Sequence, residues 1–212
     1  MIRIGQGFDM HAFAPGCPLR LGGVLVEHDQ GLAGHSDGDA LLHAIADALL
    51  GATGEGDLGQ WFPSSDPRLR GIDSSEMLIR IRDRVHALGY AIGNLDTTII
   101  AQGPSLARYF EAMRLRVAEI LEIDVNRVSI KAKTPDRLGA LGRKEGLAAL
   151  AIVLLDQRTP RSPTNPSLRR YHHRHRRRSC LHRCAPYGLR APGAGPDPGL
   201  YCRHCRLGHR EV

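Results

Sequence analysis

The chain opens with IRIGQGFDMH at residues 2–11, and HSDGDALLHAIADALL follows at residues 35–50. The first stretch begins as an extended segment. A strand at this point would direct Asp9 and His11, two positions apart, to the same side. The second stretch has apolar residues at helical spacing over residues 40–50, so His43 is predicted to lie on a helix.

Asp9, His11 and His43 together offer one carboxylate oxygen and two imidazole nitrogens, a set suited to zinc. Three protein ligands would leave the fourth tetrahedral position open for a substrate, as catalytic zinc sites require. The alternative is a capping aspartate and two half-buried histidines. That alternative suits each residue singly, but the three together favour a metal site.

A hairpin and a helix are predicted next to this set. Residues 20–26 predict a hairpin that turns at Gly22 and Gly23. The helix over residues 40–50 should end with Gly51 as its C′ residue. Its possible N-caps are Ser36, Asp37 and Asp39.

Two more helices and three more strands are predicted downstream. Asp73 and Glu76 have capping-box spacing, and an apolar stripe runs from there to Gly89. A third helix should begin at Pro104, because apolar residues follow it at helical spacing. The predicted strands cover residues 97–102, 128–133 and 147–155. The last is apolar throughout and should be central. We therefore expect an α/β fold, a single-domain sandwich of a β-sheet with helices on one face.

The composition divides the chain near residue 157. Residues 1–156 contain 16 Lys+Arg and 20 Asp+Glu, whereas residues 157–212 contain 13 Arg, no Lys and two acids. The net charge of +7 therefore arises in the tail. We expect a globular domain over residues 1–157. The Arg-, Pro-, Cys- and His-rich tail over residues 158–212 has too little apolar surface for a core and is predicted to be disordered.

The cysteines of the tail leave two interpretations open. Cys180, Cys184, Cys202 and Cys205 have a spacing that suits a structural zinc site. The same composition is typical of GC-rich DNA translated in an unintended frame. A competing hypothesis for the whole protein is therefore a zinc- or nucleic-acid-binding module that acts through this tail. The arginines by themselves would bind nucleic acid only weakly.

The first 157 residues predict a cytoplasmic protein without membrane association. Cys17 is the only cysteine before the tail, which gives no disulfide framework and suits a reducing compartment. The longest apolar run, residues 147–155, is too short to span a bilayer. The N-terminal residues lack the charged-then-apolar pattern of a signal peptide.

The segment around the predicted helix has further candidate residues. His35 and Ser36 precede a helix N-terminus, which favours an anion such as phosphate, although Ser36 as a simple cap is the alternative. Asp39 and Asp47 lie four residues either side of His43. Either could accept its second ring N–H, or both could be exposed helix acids.

Several loops at element ends are also candidates. Residues 101–104 join a strand end to a helix start, where open α/β sheets place their ligands. Lys133, Thr134 and Asp136 offer a cation, a hydroxyl and a carboxylate, which suits a polyphosphate with bridging magnesium or a plain turn. Residues 57–59 and 62–67 taken alone predict connecting loops. The pair Gly5 and Gly7 lacks the third glycine of a dinucleotide fingerprint.

Five motifs occur in order: GQGFDMHAF at residues 5–13, HSDGD at 35–39 with His43 at the matching offset, GDLG at 56–59, FP at 62–63 and GRKEG at 142–146. In these motifs the chain resembles the 2-C-methyl-D-erythritol 2,4-cyclodiphosphate synthase family, ring-closing enzymes of non-mevalonate isoprenoid biosynthesis. The resemblance covers residue 2 to about residue 155.

The resemblance implies a homotrimer whose sheets face the three-fold axis, with active sites between subunits. It implies a phosphorus–oxygen lyase that cyclises 4-diphosphocytidyl-2-C-methyl-D-erythritol 2-phosphate and releases CMP. Zinc would be held by Asp9, His11 and His43. A second divalent ion, magnesium or manganese, would bind with the substrate diphosphate at Asp136.

The resemblance also implies roles for the remaining residues. His35 and Thr134 would stabilise the transition state. The ribose would contact Asp57, Leu58 and Gly59. The erythritol pocket would comprise Phe62, Pro63, Ser64, Ser65 and Asp66. The cytosine would lie against Ala101, Gln102, Gly103, Pro104, Ser105, Leu106 and Ala107. Further substrate contacts are expected from Asp9, His11, Ser36, Lys133, Pro135, Asp136, Ala140 and Arg143.

Three positions depart from the family pattern. Asp136 stands where glutamate is usual, Ala140 where phenylalanine is usual, and Ser64 where aspartate is usual. These departures concern the second metal, the trimer axis and the erythritol pocket. They leave the zinc ligands intact.

Overall fold

The described part of the chain, residues 1–157 of a computed structural model, alternates strands and helices as expected. The strands are β1 (Ile2–Pro15), β2 (Leu19–Leu21), β3 (Val24–Val26), β4 (Gln30–Leu32), β5 (Tyr90–Ile100), β6 (Val128–Lys133) and β7 (Gly146–Gln157). The helices are α1 (Ala40–Thr53), α2 (Leu58–Trp61), α3 (Ser74–Ala87), α4 (Phe110–Leu121) and α5 (Gly139–Gly142). Single 3₁₀ turns cover Pro67–Leu69, Ala107–Tyr109 and Val125–Arg127. The predictions made for residues 158–212, including the cysteine motif, lie outside the described residues.

The main sheet has five strands in the order β4-β1-β7-β5-β6. Strand β7 is antiparallel to both β1 and β5, while β5 and β6 are parallel. The prediction that the apolar strand near residues 147–155 is central is therefore confirmed. Strands β1, β5 and β6 consequently run in one direction, and their C-terminal ends lie at the same edge of the sheet.

Helices α1, α3 and α4 contribute buried side chains to one core, and the inward-facing residues of β5, β6 and β7 complete it. This arrangement confirms the expected mixed α/β fold with helices on one face of the sheet. On β1 the alternation of the pleat leaves Ile2, Ile4, Phe8 and Met10 more than half exposed. None of the helices in residues 1–157 is long and apolar enough to cross a membrane.

Helix α1 packs against β1 at backbone contact. A Cβ atom added at Gly5 would lie 1.9 Å from the carbonyl oxygen of Ala48, and one added at Gly7 would lie 1.9 Å from that of Ala44. Only glycine therefore permits this approach of the helix to the strand. The two glycines serve helix–strand packing, which explains why they occur without a dinucleotide fingerprint.

The buried carboxylate of Asp39 joins α1 to the hairpin. It accepts hydrogen bonds from the backbone N–H groups of Gly22 at 2.9 Å, Gly23 at 2.7 Å and Leu42 at 3.1 Å. Both glycines have positive φ, as a tight hairpin turn requires. Asp39, rather than Ser36, is thus the N-cap of α1.

Several predicted boundaries were wrong. Helix α1 continues through Gly51 to Thr53, and Gly54 (φ 76°) is its C-terminal cap. The extensive burial of α1 outweighs the low helix propensity of one glycine. Residues 57–59, predicted as a loop, enter the short helix α2, whose N-cap is Asp57.

The third helix, α4, begins at Phe110 and not at Pro104 as predicted. The 3₁₀ turn that precedes it continues a similar apolar spacing, so the sequence pattern did not distinguish the turn from the helix. Strand β5 begins earlier than predicted, at Tyr90. The prediction depended on the run of residues with high β propensity that begins at Thr97, whereas the first part of the strand contains Gly93 and Asn94 and an irregularity in pairing between Ile92 and Asn94.

Candidate metal and substrate site

Asp9, His11 and His43 meet at the C-terminal half of β1 and the first turn of α1. The Oδ2 atom of Asp9 lies 2.8 Å from His11 Nε2 and 2.9 Å from His43 Nδ1, and the two nitrogens are 3.2 Å apart. Ligand atoms around a tetrahedral zinc ion at about 2.0–2.1 Å would lie about 3.3–3.4 Å from one another. The three side chains therefore converge as a set that could hold a metal, the one such group among residues 1–157.

The electrostatics of the set keep the carboxylate ionised. Burial by itself raises the pKa of Asp9, but hydrogen bonds from His11 and His43 outweigh it and hold this pKa well below its ordinary value. The hydrogen bond to Asp9 raises the pKa of His11, with burial acting in the opposite sense. A metal bound here would replace the protons that the imidazoles share with the carboxylate.

The other ring nitrogens orient the two imidazoles. His11 Nδ1 lies 2.5 Å from the carbonyl oxygen of Ala33, which directs Nε2 towards Asp9. His43 Nε2 lies 2.9 Å from Ser74 Oγ and 3.1 Å from Ser36 Oγ. The Ser74 hydroxyl in turn donates to the carboxylate of Asp37.

The interpretation of Asp39 and Asp47 as partners of the second ring nitrogen of His43 was wrong. Asp39 is fully engaged by backbone N–H groups, and Asp47 accepts from the N–H of Leu58 at 2.7 Å. A residue that does contact this nitrogen, Ser74, was not predicted from the sequence. Ser74 is 31 residues from His43, and its only signal was a capping box at the start of α3.

A cavity of about 290 Å³ opens beside the triad. Together with the triad, it is lined by residues predicted to bind phosphate (His35 and Ser36), ribose (Leu58 and Gly59) and erythritol (Phe62, Pro63 and Ser64). Asp47, Leu69, Ile72 and Met77 also line it and were not predicted. The combination of a metal-ligand set with apolar walls and a few polar groups is typical of a small-molecule site.

Three predicted residues near this cavity are not among its lining residues. The Asp57 carboxylate accepts from the backbone and the side chain of Gln60, at 2.9 and 3.0 Å. Asp66 forms an ion pair with Arg68 at 2.7 Å, and the hydrogen bonds from Arg68 lower its pKa to about 2. Ser65 lies in the turn between Pro63 and Asp66.

A second cluster of predicted residues forms where β5 and β6 end. The side-chain oxygen of Gln102 accepts from Thr134 Oγ1 at 3.2 Å and from the N–H of Arg137 at 2.8 Å. Thr134 Oγ1 also accepts from the N–H of Asp136 at 3.0 Å. Gln102 thus joins the loop predicted to hold cytosine, residues 101–107, to the loop of residues 133–136.

The two clusters do not line the same cavity. The lining residues described above include none from 101–107 or 133–136. β6 lies three strands from β1 in the sheet, and at about 4.8 Å per strand its end is about 14 Å away. Ala140 and Arg143 lie at α5, where Arg143 is exposed and paired with Glu145 at 2.6 Å.

Fold and site together place the chain among α/β proteins with an Asp–His–His set that could hold a metal at a small-molecule cavity. More specifically, the family model described as the YgbB family matches residues 2–156, and the chain belongs to this family.

Named relatives agree with this assignment. A 2-C-methyl-D-erythritol 2,4-cyclodiphosphate synthase from Bacillus cereus is 51% identical over 158 residues, which cover 74% of this chain and 100% of that protein. One from Bacillus mycoides is 50% identical with the same coverage.

Solved structures have the same fold. A bifunctional IspDF from Campylobacter jejuni gives a TM-score of 0.72 at 41% identity, and the match covers 74% of this chain but only 42% of that one. A Plasmodium falciparum IspF described as a CDP complex gives a TM-score of 0.66 at 34% identity, covering 74% of this chain and 97% of that one. A 2C-methyl-D-erythritol-2,4-cyclodiphosphate synthase in a CDP-bound form gives 0.68 at 36% identity, covering 73% and 100%.

Proposed function

We propose that this chain converts 4-diphosphocytidyl-2-C-methyl-D-erythritol 2-phosphate into 2-C-methyl-D-erythritol 2,4-cyclodiphosphate and CMP. The observation that carries the proposal is the convergence of Asp9, His11 and His43 beside the cavity. Family membership and half-identical relatives with this name support it. The test is release of CMP from this substrate, with the same compound lacking its 2-phosphate as the control that should release none.

The reaction forms one P–O bond and breaks another. An oxygen of the 2-phosphate attacks the β-phosphorus, and the bond from that phosphorus to the oxygen bridging the α- and β-phosphates breaks, so CMP leaves. A phosphate monoester is mostly dianionic at pH 7, its second pKa being about 6, so the attack needs no base. The chain therefore contributes positioning and charge stabilisation.

The residues present fit these tasks. A zinc ion bound by the triad would act as a Lewis acid on the phosphate oxygens. His35 and Ser36 line the cavity next to the triad and would bind phosphate oxygens there. Phe62 and Pro63 would provide apolar walls for the methylerythritol carbons and exclude water, and Leu58 and Gly59, which also line the cavity, would contact the ribose.

We assign the strand-end cluster to the cytidine and to the second divalent ion. The backbone of residues 101–107 would meet the base, and Thr134 would contact the transferring phosphate. Asp136 would hold a magnesium or manganese ion together with the diphosphate. CDP in the descriptions of two similar structures supports a cytidine ligand.

A homotrimer would unite the two clusters. The exposed apolar side chains of β1, together with Ile152 on β7, form a face that two further copies of the chain would cover. Because one chain leaves the triad cavity and the Thr134 loop apart, a neighbouring copy would complete each site. A cytoplasmic location stays a prediction.

Asp136→Glu is expected to retain full activity or to gain some. The extra methylene restores the reach of the usual glutamate, and ion coordination is sensitive to displacements of about 1 Å. The left-handed backbone at Asp136 (φ 53°) tolerates aspartate more readily than glutamate, so a small loss of thermal stability is expected alongside. The measurement is CMP release against magnesium concentration.

Asp136→Asn is the matched control, and it should need more magnesium for half-maximal rate because it removes the charge. A large loss of activity in the glutamate variant at saturating magnesium would contradict the assignment of Asp136 to the ion.

A chain that stops after Arg158 is expected to keep its fold, its zinc and its rate of CMP release. All of the site residues lie before this point, and residues 1–157 contain a complete core. The measurement compares particle mass, zinc per chain and CMP release with those of the full chain. The competing hypothesis of a tail-driven binder predicts instead that the shortened chain loses its metal.

A further inference from the structure

His43 is held at both ring nitrogens by different parts of the fold. Its Nδ1 faces Asp9 at 2.9 Å, and its Nε2 faces Ser74 Oγ at 2.9 Å. Ser74 is 1% exposed and begins α3, while His43 is 7% exposed on α1. The hydroxyl of Ser74 continues to a carboxylate oxygen of Asp37, in the loop before α1.

The chemistry of these groups determines the direction of each hydrogen bond. An ionised carboxylate only accepts, so the single proton of the Ser74 hydroxyl is donated to Asp37. The serine oxygen is then an acceptor towards His43, which must carry its proton on Nε2. Because Nε2 keeps its proton, Nδ1 is the nitrogen left to a metal, which would replace the proton that Nδ1 shares with Asp9.

Ser36 does not provide the same constraint. Its Oγ lies 3.1 Å from His43 Nε2, but it also accepts from the N–H of Gly38 at 3.1 Å. Ser36 lines the cavity, whereas Ser74 is buried behind the imidazole. Asp37 additionally accepts from the backbone N–H of Ser74 at 3.3 Å. The same carboxylate therefore fixes both the Ser74 hydroxyl and the first residue of α3.

We propose that Ser74 and Asp37 are positioning residues that fix the tautomer and orientation of His43 and thereby set the metal affinity of the site. The inference rests on the proposed function in that it requires the triad to bind a metal. Loss of such outer partners of a metal-bound histidine typically weakens metal affinity by about 10–100-fold.

The test compares Ser74→Ala with Ser75→Ala as a matched control. Ser75 lies on the same first turn of α3 and is also buried, but it is not part of the chain of hydrogen bonds to His43. Zinc dissociation constants are measured by competition with a chelator on the full chain. We expect about a 10–100-fold weaker constant for Ser74→Ala and a change of less than about twofold for Ser75→Ala.

Two further variants separate positioning from folding. Ser74→Thr keeps the hydroxyl and should recover most of the zinc affinity. Asp37→Ala removes the acceptor of the Ser74 hydroxyl and should weaken zinc binding while the protein stays folded. Nitrogen-15 spectra of the imidazoles report the protonation of each ring nitrogen directly. Nε2 of His43 should be protonated in the wild type with or without zinc, and in only part of the molecules in zinc-free Ser74→Ala.

The outcomes separate this inference from the proposed function. If the wild type binds zinc and Ser74→Ala binds it within twofold of Ser75→Ala, the positioning role is wrong and the metal site stands. If Ser74→Ala does not fold, unchanged zinc affinity in Asp37→Ala overturns the inference equally. A wild type that binds no zinc overturns both the metal site and the inference.

Discussion

His43→Ala is expected to abolish bound zinc and CMP release together while the chain remains folded. The substitution leaves Asp9 and His11, two ligands on one strand, too few to hold an open tetrahedral site. A Lewis-acid contribution of several kcal/mol corresponds to a loss of rate of about 10³-fold or more. Zinc content by elemental analysis and CMP release by chromatography measure the two effects on one sample.

His28→Ala is the matched control. His28 packs against Phe13 with ring centroids 5.0 Å apart and bonds to the carbonyl oxygen of Gln30, but it does not line the cavity. It should retain zinc and activity. A His43→Ala protein that released CMP at a near wild-type rate without zinc would show that the triad is not the metal site of the reaction.

Gly7→Ala is expected to lower both stability and zinc affinity. The new Cβ atom would overlap the carbonyl oxygen of Ala44, so α1 must move away from β1. Such overpacking reduces the free energy of unfolding by about 1–3 kcal/mol. Because β1 carries two ligands and α1 carries His43, the same shift spreads the ligand set. Urea unfolding of the metal-free chain and zinc competition measure the two effects separately.

Gly51→Ala tests the same helix at a position where an added Cβ atom overlaps no other atom. Its Cβ atom would lie 3.7 Å from the carbonyl oxygen of Gln6, an ordinary contact, and the residue is exposed. Replacing a helical glycine should raise the free energy of unfolding by about 0.5–1 kcal/mol and leave zinc affinity unchanged. Equal behaviour of the two variants would contradict the account of β1–α1 packing.

The triad was predictable because two simple periodicities place its members. An i, i+2 spacing on a strand directs Asp9 and His11 to one face, and the helical pattern around His43 is long and apolar. The order of elements and the apolar character of β7 were enough to predict an α/β sandwich with that strand at its centre.

Other features depend on packing that no local pattern encodes. The bond between Ser74 and His43 joins two helices, and nothing in the spacing of either segment indicates it. Gly51 resembles a helix end in sequence, but the burial of α1 extends the helix to Thr53. The separation of the Thr134 loop from the triad follows from strand order, which pairs β7 between β1 and β5 and could not be obtained from the order along the chain.

The central claim is that the triad metal supports cyclisation. Phosphorus-31 spectroscopy of the full chain with 4-diphosphocytidyl-2-C-methyl-D-erythritol 2-phosphate, at saturating magnesium, tests it most directly. Samples are compared as prepared, after removal of zinc by a chelator and dialysis, and after zinc is restored. The account predicts equal amounts of CMP and cyclic diphosphate, loss of both without zinc, and recovery on its return. CMP formed without the cyclic product, or cyclisation that persists in the zinc-free protein, would contradict it.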